Sequence, residues 1–326
     1  MENLYIIGNG FDLYHGLDTR YQSFANFLAK VNSEIYDLII TYYGLPDISD
    51  EFVSDYDYDM WSTFEAALAN LDYEQVLDDN SDYAANPGSP EFRDRDWHAY
   101  QFEMEFIIEK LTTGLISIFN LFILNVEYPK SISGSQISVN PNSLFLNFNY
   151  TNTLERYYGI PERNICYIHN KVQADESKII LGHGIDPDNF IEEEVVPPSG
   201  LSDEEMQQWE EFMSDQYDLS YESAKEEILT YYTKSFKNTD WIIRDNINFF
   251  DGLASIENVY IMGHSISPID IKYFETVKKR IGGHAIWHVS YYSDNEMEKY
   301  RKKILNLGVS ETNIKMFKIA DLQQSR

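Results

Sequence analysis

The amino-acid sequence predicts an α/β fold of Rossmann-like type: a mainly parallel sheet carrying two large helical insertions. Three observations predict it. Short apolar runs of strand length stand at both ends of the chain and alternate with stretches of helical periodicity, as parallel strands joined by crossover helices require. The first run, Leu4 to Ile7, is apolar throughout, which marks a strand covered on both faces. The runs lead into glycine, asparagine and histidine groups, and in open α/β sheets ligands bind beyond the carboxyl ends of the strands.

Leu4 to Ile7 passes directly into the turn Gly8-Asn9-Gly10-Phe11-Asp12, and an amphipathic run from Tyr21 to Val31 follows. A strand, a glycine turn and a helix form the geometry in which nucleotides sit over a helix N-terminus. The full dinucleotide fingerprint needs a third glycine where this chain has Leu13, so the turn alone fits a tight core corner equally well.

Residues 31–139 read as a helical insertion. Apolar positions recur at helical spacing in Tyr36 to Tyr43, Trp61 to Leu71 and Trp97 to Leu124, with acidic loops expected at Asp47 to Asp59 and Asp78 to Asp96. Those loops lack the alternating Asp spacing and glycine of a calcium loop and read as solvated. Strand periodicity returns at Ser143 to Asn149, Asn164 to His169 and Lys178 to Leu181. Residues 187–240 form a second, acidic helical insertion whose Ser202-Asp203-Glu204-Glu205 resembles a capping box. Further strands are expected at Val259 to Met262, His284 to Tyr292 and Asn313 to Ile319, with helices at Pro268 to Arg280 and Asp294 to Leu307. The nucleotide-binding core is thus assembled from 1–30, 140–186 and 241–326.

Composition narrows the function. Asp and Glu outnumber Lys and Arg by 54 to 25, a formal charge of −29, which argues against a nucleic-acid partner because phosphate backbones need a basic stripe. The basic runs Lys278-Lys279-Arg280 and Arg301-Lys302-Lys303 are short. The single cysteine, Cys166, excludes an internal disulfide and a multi-cysteine zinc site, and its apolar neighbours mark it as a buried strand thiol. No membrane span is expected, since Glu109 and Lys110 break the most apolar stretch, Ile107 to Leu124. With a strand at the very N-terminus and no cleavable leader, a cytoplasmic protein is expected. The 25 tyrosines suit either protein interfaces, including a homo-oligomer, or solvated edges of the insertions.

Four polar groups follow apolar strands: Gly8 to Asp12, Asn147 to Thr151, His169, and Gly263-His264-Ser265 with Asp270. Parallel neighbours would bring all four to one edge as a nucleotide cleft. Each has a plainer reading alone: Asn149 as a helix cap, His169 as a satisfied strand-end histidine, Gly263 to Ser265 as a turn. A Ser265–His264–Asp270 triad is disfavoured because the Gly-x-Ser-x-Gly elbow is missing, Ser267 standing at its last position. His183 beside Asp186 lacks the tight spacing of a metal site, and no metal is expected.

These residues also carry a resemblance. Ile6 to Leu13, His15 to Leu17 and Tyr21 to Phe24 are similar to the N-terminal signature of the AbiH family of bacteriophage abortive-infection proteins. Trp61 with Glu65, Phe148 to Thr151 with Leu154 and Glu155, and Tyr260 to Ile266 with Asp270, Tyr273 and Phe274 resemble its later motifs. More remotely, the motif order is similar to that of sirtuin-like NAD-binding domains, with Gly8, Gly10, Asn149, His169, Gly263 and Ser265 as counterparts. Asp12 in place of a small residue, Asn170 in place of a glycine and the missing zinc-ribbon cysteines point away from protein deacylation.

The resemblance implies antiphage defence through cleavage of the nicotinamide–ribose bond of NAD, taken as substrate with no cofactor required. Backbone N–H groups of the Gly8, Asn9, Gly10 and Phe11 turn would meet phosphate. Asn149 would hold a ribose hydroxyl or water, His169 would act as base and Asp12 would stabilise developing positive charge. Gly263, His264, Ser265 and Asp270 would contact the adenosine half, and the insertions would self-associate or sense a phage-derived trigger. Two other readings stay open: a metal-dependent nuclease or phosphohydrolase using Asp12, His183, Asp186 or His264, and a nucleotide-binding sensor without turnover.

Overall fold

Six short strands, β1 (Asn3–Ile7), β2 (Leu144–Asn147), β3 (Ile165–Tyr167), β4 (Asn258–Met262), β5 (Ile286–Ser290) and β6 (Ile314–Phe317), pair in parallel in the order β3-β2-β1-β4-β5-β6. That is the strand order of a doubly wound Rossmann-type sheet, with its switch point at β1. The computed structural model describes residues 1–49, 54–174, 178–192 and 195–323. Ile7 lies level with Asn147 on one side and Met262 on the other, and Asn147 with Tyr167. The turns after β1, β2, β3 and β4 therefore open side by side on one edge.

The two faces of the sheet are covered unequally. Leu4, Ile6, Leu146, Val259, Ile261, Trp287 and Val289 pack under the helices Thr239–Asp245, Ile247–Asp251, Ile271–Arg280 and Asp294–Asn306. The opposite face, with Tyr5, Ile7, Phe145 and Met262, is covered by Phe11, Leu154, Ile160 and Ile137. Across it Phe145, Tyr5, Tyr260 and His288 stack ring on ring through four adjacent strands, the cross-strand pairing that an in-register parallel ladder permits.

A third core is mainly helical. Tyr100, Met104, Ile107 and Ile108 of the long helix meet Ala224, Ile228, Tyr231 and Tyr232 of the helix Leu219–Lys234, so the two insertions share one apolar interior. The helix Tyr21–Val31 buries Phe24, Ala25 and Leu28 in this interior and not against the sheet. The stretch Asp94–Leu124 is long and apolar enough to cross a membrane by length and composition. Its inner face, from Met104 to Ile123, instead builds the helical core.

Several expectations need correction. Lys178 to Leu181 forms no strand: Ile180 N–H donates to the His169 carbonyl, and Ile179 and Leu181 fill the helical core. Its apolar pattern reflects burial without pairing. The helix expected over Trp61 to Leu71 ends at Trp61 and resumes only as the turn Phe64–Ala67. A helix, Asp55–Trp61, starts inside the expected loop Asp47 to Asp59, because Ser54 and Asp57 close a capping box there; positions 50–53 of that loop lie outside the described residues. Likewise, Asp78 to Asp96 contains the helical turns Ser81–Tyr83 and Asp94–His98. The long helix passes through a π turn at Lys110–Gly114. The Thr112 hydroxyl donates to the Ile108 carbonyl there, a competition that loosens the regular ladder.

Candidate active site

The glycines after β1 serve close packing. Gly8 N–H donates to the Met262 carbonyl at 3.0 Å, Gly10 N–H to the Gly263 carbonyl at 2.8 Å and Phe11 N–H to the Gly8 carbonyl at 2.9 Å, so three of the four amides predicted for phosphate are already engaged. A Cβ at Gly10 would stand 2.8 Å from the Gly263 Cα, and Gly263 itself has φ of +63°, so both positions need glycine for the turns after β1 and β4 to touch. Asn9 binds the Thr19 carbonyl and hydroxyl. Phe11 is fully buried, packed on His15 and Tyr158. Both anchor the turn.

The end of β2 joins this turn. Asn149 accepts no helix: the helix begins at Thr153, while the Asn149 side-chain amide donates to the Gly8 carbonyl at 3.1 Å and its N–H to Asn147 Oδ1. Asp12 is buried beside it, with Thr151 Oγ1 donating to Oδ2 at 2.6 Å while Oδ1 has no hydrogen-bond partner among the described residues. Burial pushes its carboxyl up to about 6, against the hydrogen bonds of Thr151, Thr153 and Asn149, which act to lower it.

A second group forms where β3 and β4 end beneath the insertions. Phe148 packs edge-on against the rings of His169, His264 and Tyr273. His169 Nε2 is buried without a hydrogen-bond partner among the described residues, 3.9 Å from Asp270 Oδ1, and His264 Nε2 lies 3.7 Å from Asp270 Oδ2. Two residues that the sequence reading left out of the site complete it. Lys237, fully buried, places its ammonium 3.1 Å from Asp270 Oδ1 and 3.0 Å from Glu65 Oε2, and the Tyr21 hydroxyl donates to Glu65 Oε1. Burial first, then the Lys237 charge, hold His169 well below the ordinary imidazole range and bring His264 down to about 3. In both rings burial and the Lys237 charge disfavour the imidazolium form.

The chain matches the family described as bacteriophage abortive infection AbiH over residues 4–291. The chain belongs to the AbiH family. Comparison with curated proteins and with solved structures finds no match. The matched span of this AbiH chain runs from β1 to the end of β5 and holds every residue of both polar groups.

Other readings of the AbiH chain lose ground on geometry. Ser265 is exposed, and the His264 ring has Nδ1 accepting from Ile266 N–H and Nε2 facing Asp270, so no nitrogen is left to activate a serine. His183 is engaged through both ring nitrogens, with the Tyr232 carbonyl and with Ile185 N–H. Among the described residues no three His, Cys, Asp or Glu side chains are grouped to hold a metal ion. Cys166 is buried and its thiol is pushed up to about 12 by burial, as expected of an inert strand cysteine. Lys237 escaped the sequence reading because a lone lysine after Phe236 has no periodic or motif signal. Glu65 stood only within the family resemblance.

Proposed function

We propose that this AbiH protein acts in bacteriophage abortive infection by hydrolysing the nicotinamide–ribose bond of NAD at the strand edge. The observation that carries the reading is His169: a neutral, buried imidazole with a free Nε2, at the end of β3. Such a group is poised to take a proton from water. Water attacks the ribose C1′ as the C1′–N bond breaks, the bond pair returns to the ring nitrogen, and neutral nicotinamide and ADP-ribose leave. His169 holds the released proton. Asn149 would orient the ribose or the water, and the ionised fraction of Asp12 would face the oxocarbenium-like transition state.

Asp12, Asn149, His169, His264 and Lys237 are all buried, so substrate entry requires the helical cap to move. A defence protein that stays silent until infection would have this closed form. The test is a product assay with NAD, with and without lysate from phage-infected cells. Release of nicotinamide that falls at least about 100-fold in His169→Ala and Asn149→Ala supports the reading. Undiminished turnover in either variant sinks it. The same closed form suits a sensor that binds a nucleotide without turnover; calorimetric binding with the nucleotide recovered intact would favour that second reading.

A further inference from the structure

Lys237 is unused by the proposed chemistry, yet it lies at the centre of the charged group. Its main chain is fixed: Lys237 N–H donates to the His183 carbonyl at 2.8 Å and His183 N–H to the Ser235 carbonyl at 3.1 Å, a short bridge between the two loops. Its ammonium draws one ligand from each region of the molecule, Glu65 from the first insertion and Asp270 from the sheet domain. Asp270 in turn faces three groups able to carry positive charge: Lys237 at 3.1 Å, His264 at 3.7 Å and His169 at 3.9 Å.

We propose that Lys237 is a positioning residue that claims the Asp270 carboxylate and so leaves His169 and His264 as neutral imidazoles, with the free Nε2 of His169 able to accept a proton. A carboxylate with one permanent cation in hydrogen-bond contact has little left to offer an imidazole farther away. Remove the ammonium and two carboxylates, Glu65 and Asp270, face the histidines without a counter-charge. Tyr150 and Tyr273 flank them with neutral rings, and Lys303, held by the Ser265 and Ile266 carbonyls, bears on His264. The remaining field favours the imidazolium, and the base is lost. This inference rests on the reading of His169 as base, but its test does not need turnover.

The imidazole nitrogens of the whole protein are followed by NMR from about pH 5 to 8, the range in which an ordinary histidine titrates. In the native chain His169 stays neutral throughout. In Lys237→Met its midpoint enters that range, Lys237→Arg restores the native behaviour, and adding Asp270→Asn to Lys237→Met returns the midpoint below it. Identical His169 titrations in Lys237→Met and native protein would overturn the proposal. So would a native His169 midpoint above about 6, a measurement that needs no variant to fold. NAD assays on the same samples keep the two readings apart. A Lys237→Met profile displaced to higher pH and rescued by Arg supports both, whereas no turnover in any form overturns NAD cleavage and leaves the imidazole titration to decide the role of Lys237.

Discussion

Asp12 shows how far a single side chain depends on its surroundings. Nothing in Gly10-Phe11-Asp12 distinguishes a surface turn carboxylate from a buried one, and burial, outweighing the hydrogen bonds that oppose it, takes it from 3.8 to about 6. Because the folded state holds its proton more tightly, Asp12 costs no stability below about pH 4, costs progressively more between there and about pH 6, and a constant amount above. Asp12→Asn keeps an acceptor for Thr151 and removes the buried charge. The variant should gain about 1–3 kcal/mol at about pH 7.5, shrinking to a small fraction of that by about pH 4, measured by denaturant unfolding across that range. A variant that loses stability equally at every pH would show that the carboxylate is satisfied in its ionised form. His169 and Asn149 stand out in the sequence by their places after strand runs. Their partners were not, since hydrogen bonds such as Asn149 to the Gly8 carbonyl join residues 141 positions apart.

Strands and helices differed in how well they could be read. The strands β2, β3, β5 and β6 lie within their expected stretches and β1 and β4 begin one residue before theirs, because strand burial leaves an apolar signature. Lys178 to Leu181 shows the limit of that signature: apolar side chains record burial, and only neighbouring backbone decides pairing. A helix start was missed where a cap intervenes, as at Ser54. The joint between the insertions is equally invisible along the chain. Ile228 is fully buried where the helix Leu219–Lys234 meets the long helix, and Tyr231 donates to the Leu68 carbonyl at 2.8 Å. Ile228→Ala should cost about 2–5 kcal/mol, and hydrogen exchange should speed up in both insertions together. Exchange that accelerates in one insertion alone would mean that they do not share a cooperative core.

Taken entire, the molecule sets a parallel sheet under a helical cap and closes the joint with Lys237, Glu65 and Asp270. Its formal charge of −29 opposes compactness through self-repulsion. Raising salt from about 0.05 to 0.5 M should therefore increase the melting temperature, by screening exposed carboxylates more than the buried network. A melting temperature that falls with salt would mean that ion pairs dominate repulsion in this chain.

The α/β class, the parallel sheet and the strand-edge location of the polar motifs were legible in residue order, because strand burial, helical periodicity and turn chemistry are local properties. The resemblance of Ile6 to Leu13, Phe148 to Thr151 and Tyr260 to Ile266 to known motifs also pointed to the AbiH family. The shared core of two insertions, the engagement of the Gly8 and Gly10 amides by the turn after β4, and the lysine set between two carboxylates required the folded chain. Each depends on which distant segments meet, and burial and charge change a side chain's chemistry only after they do.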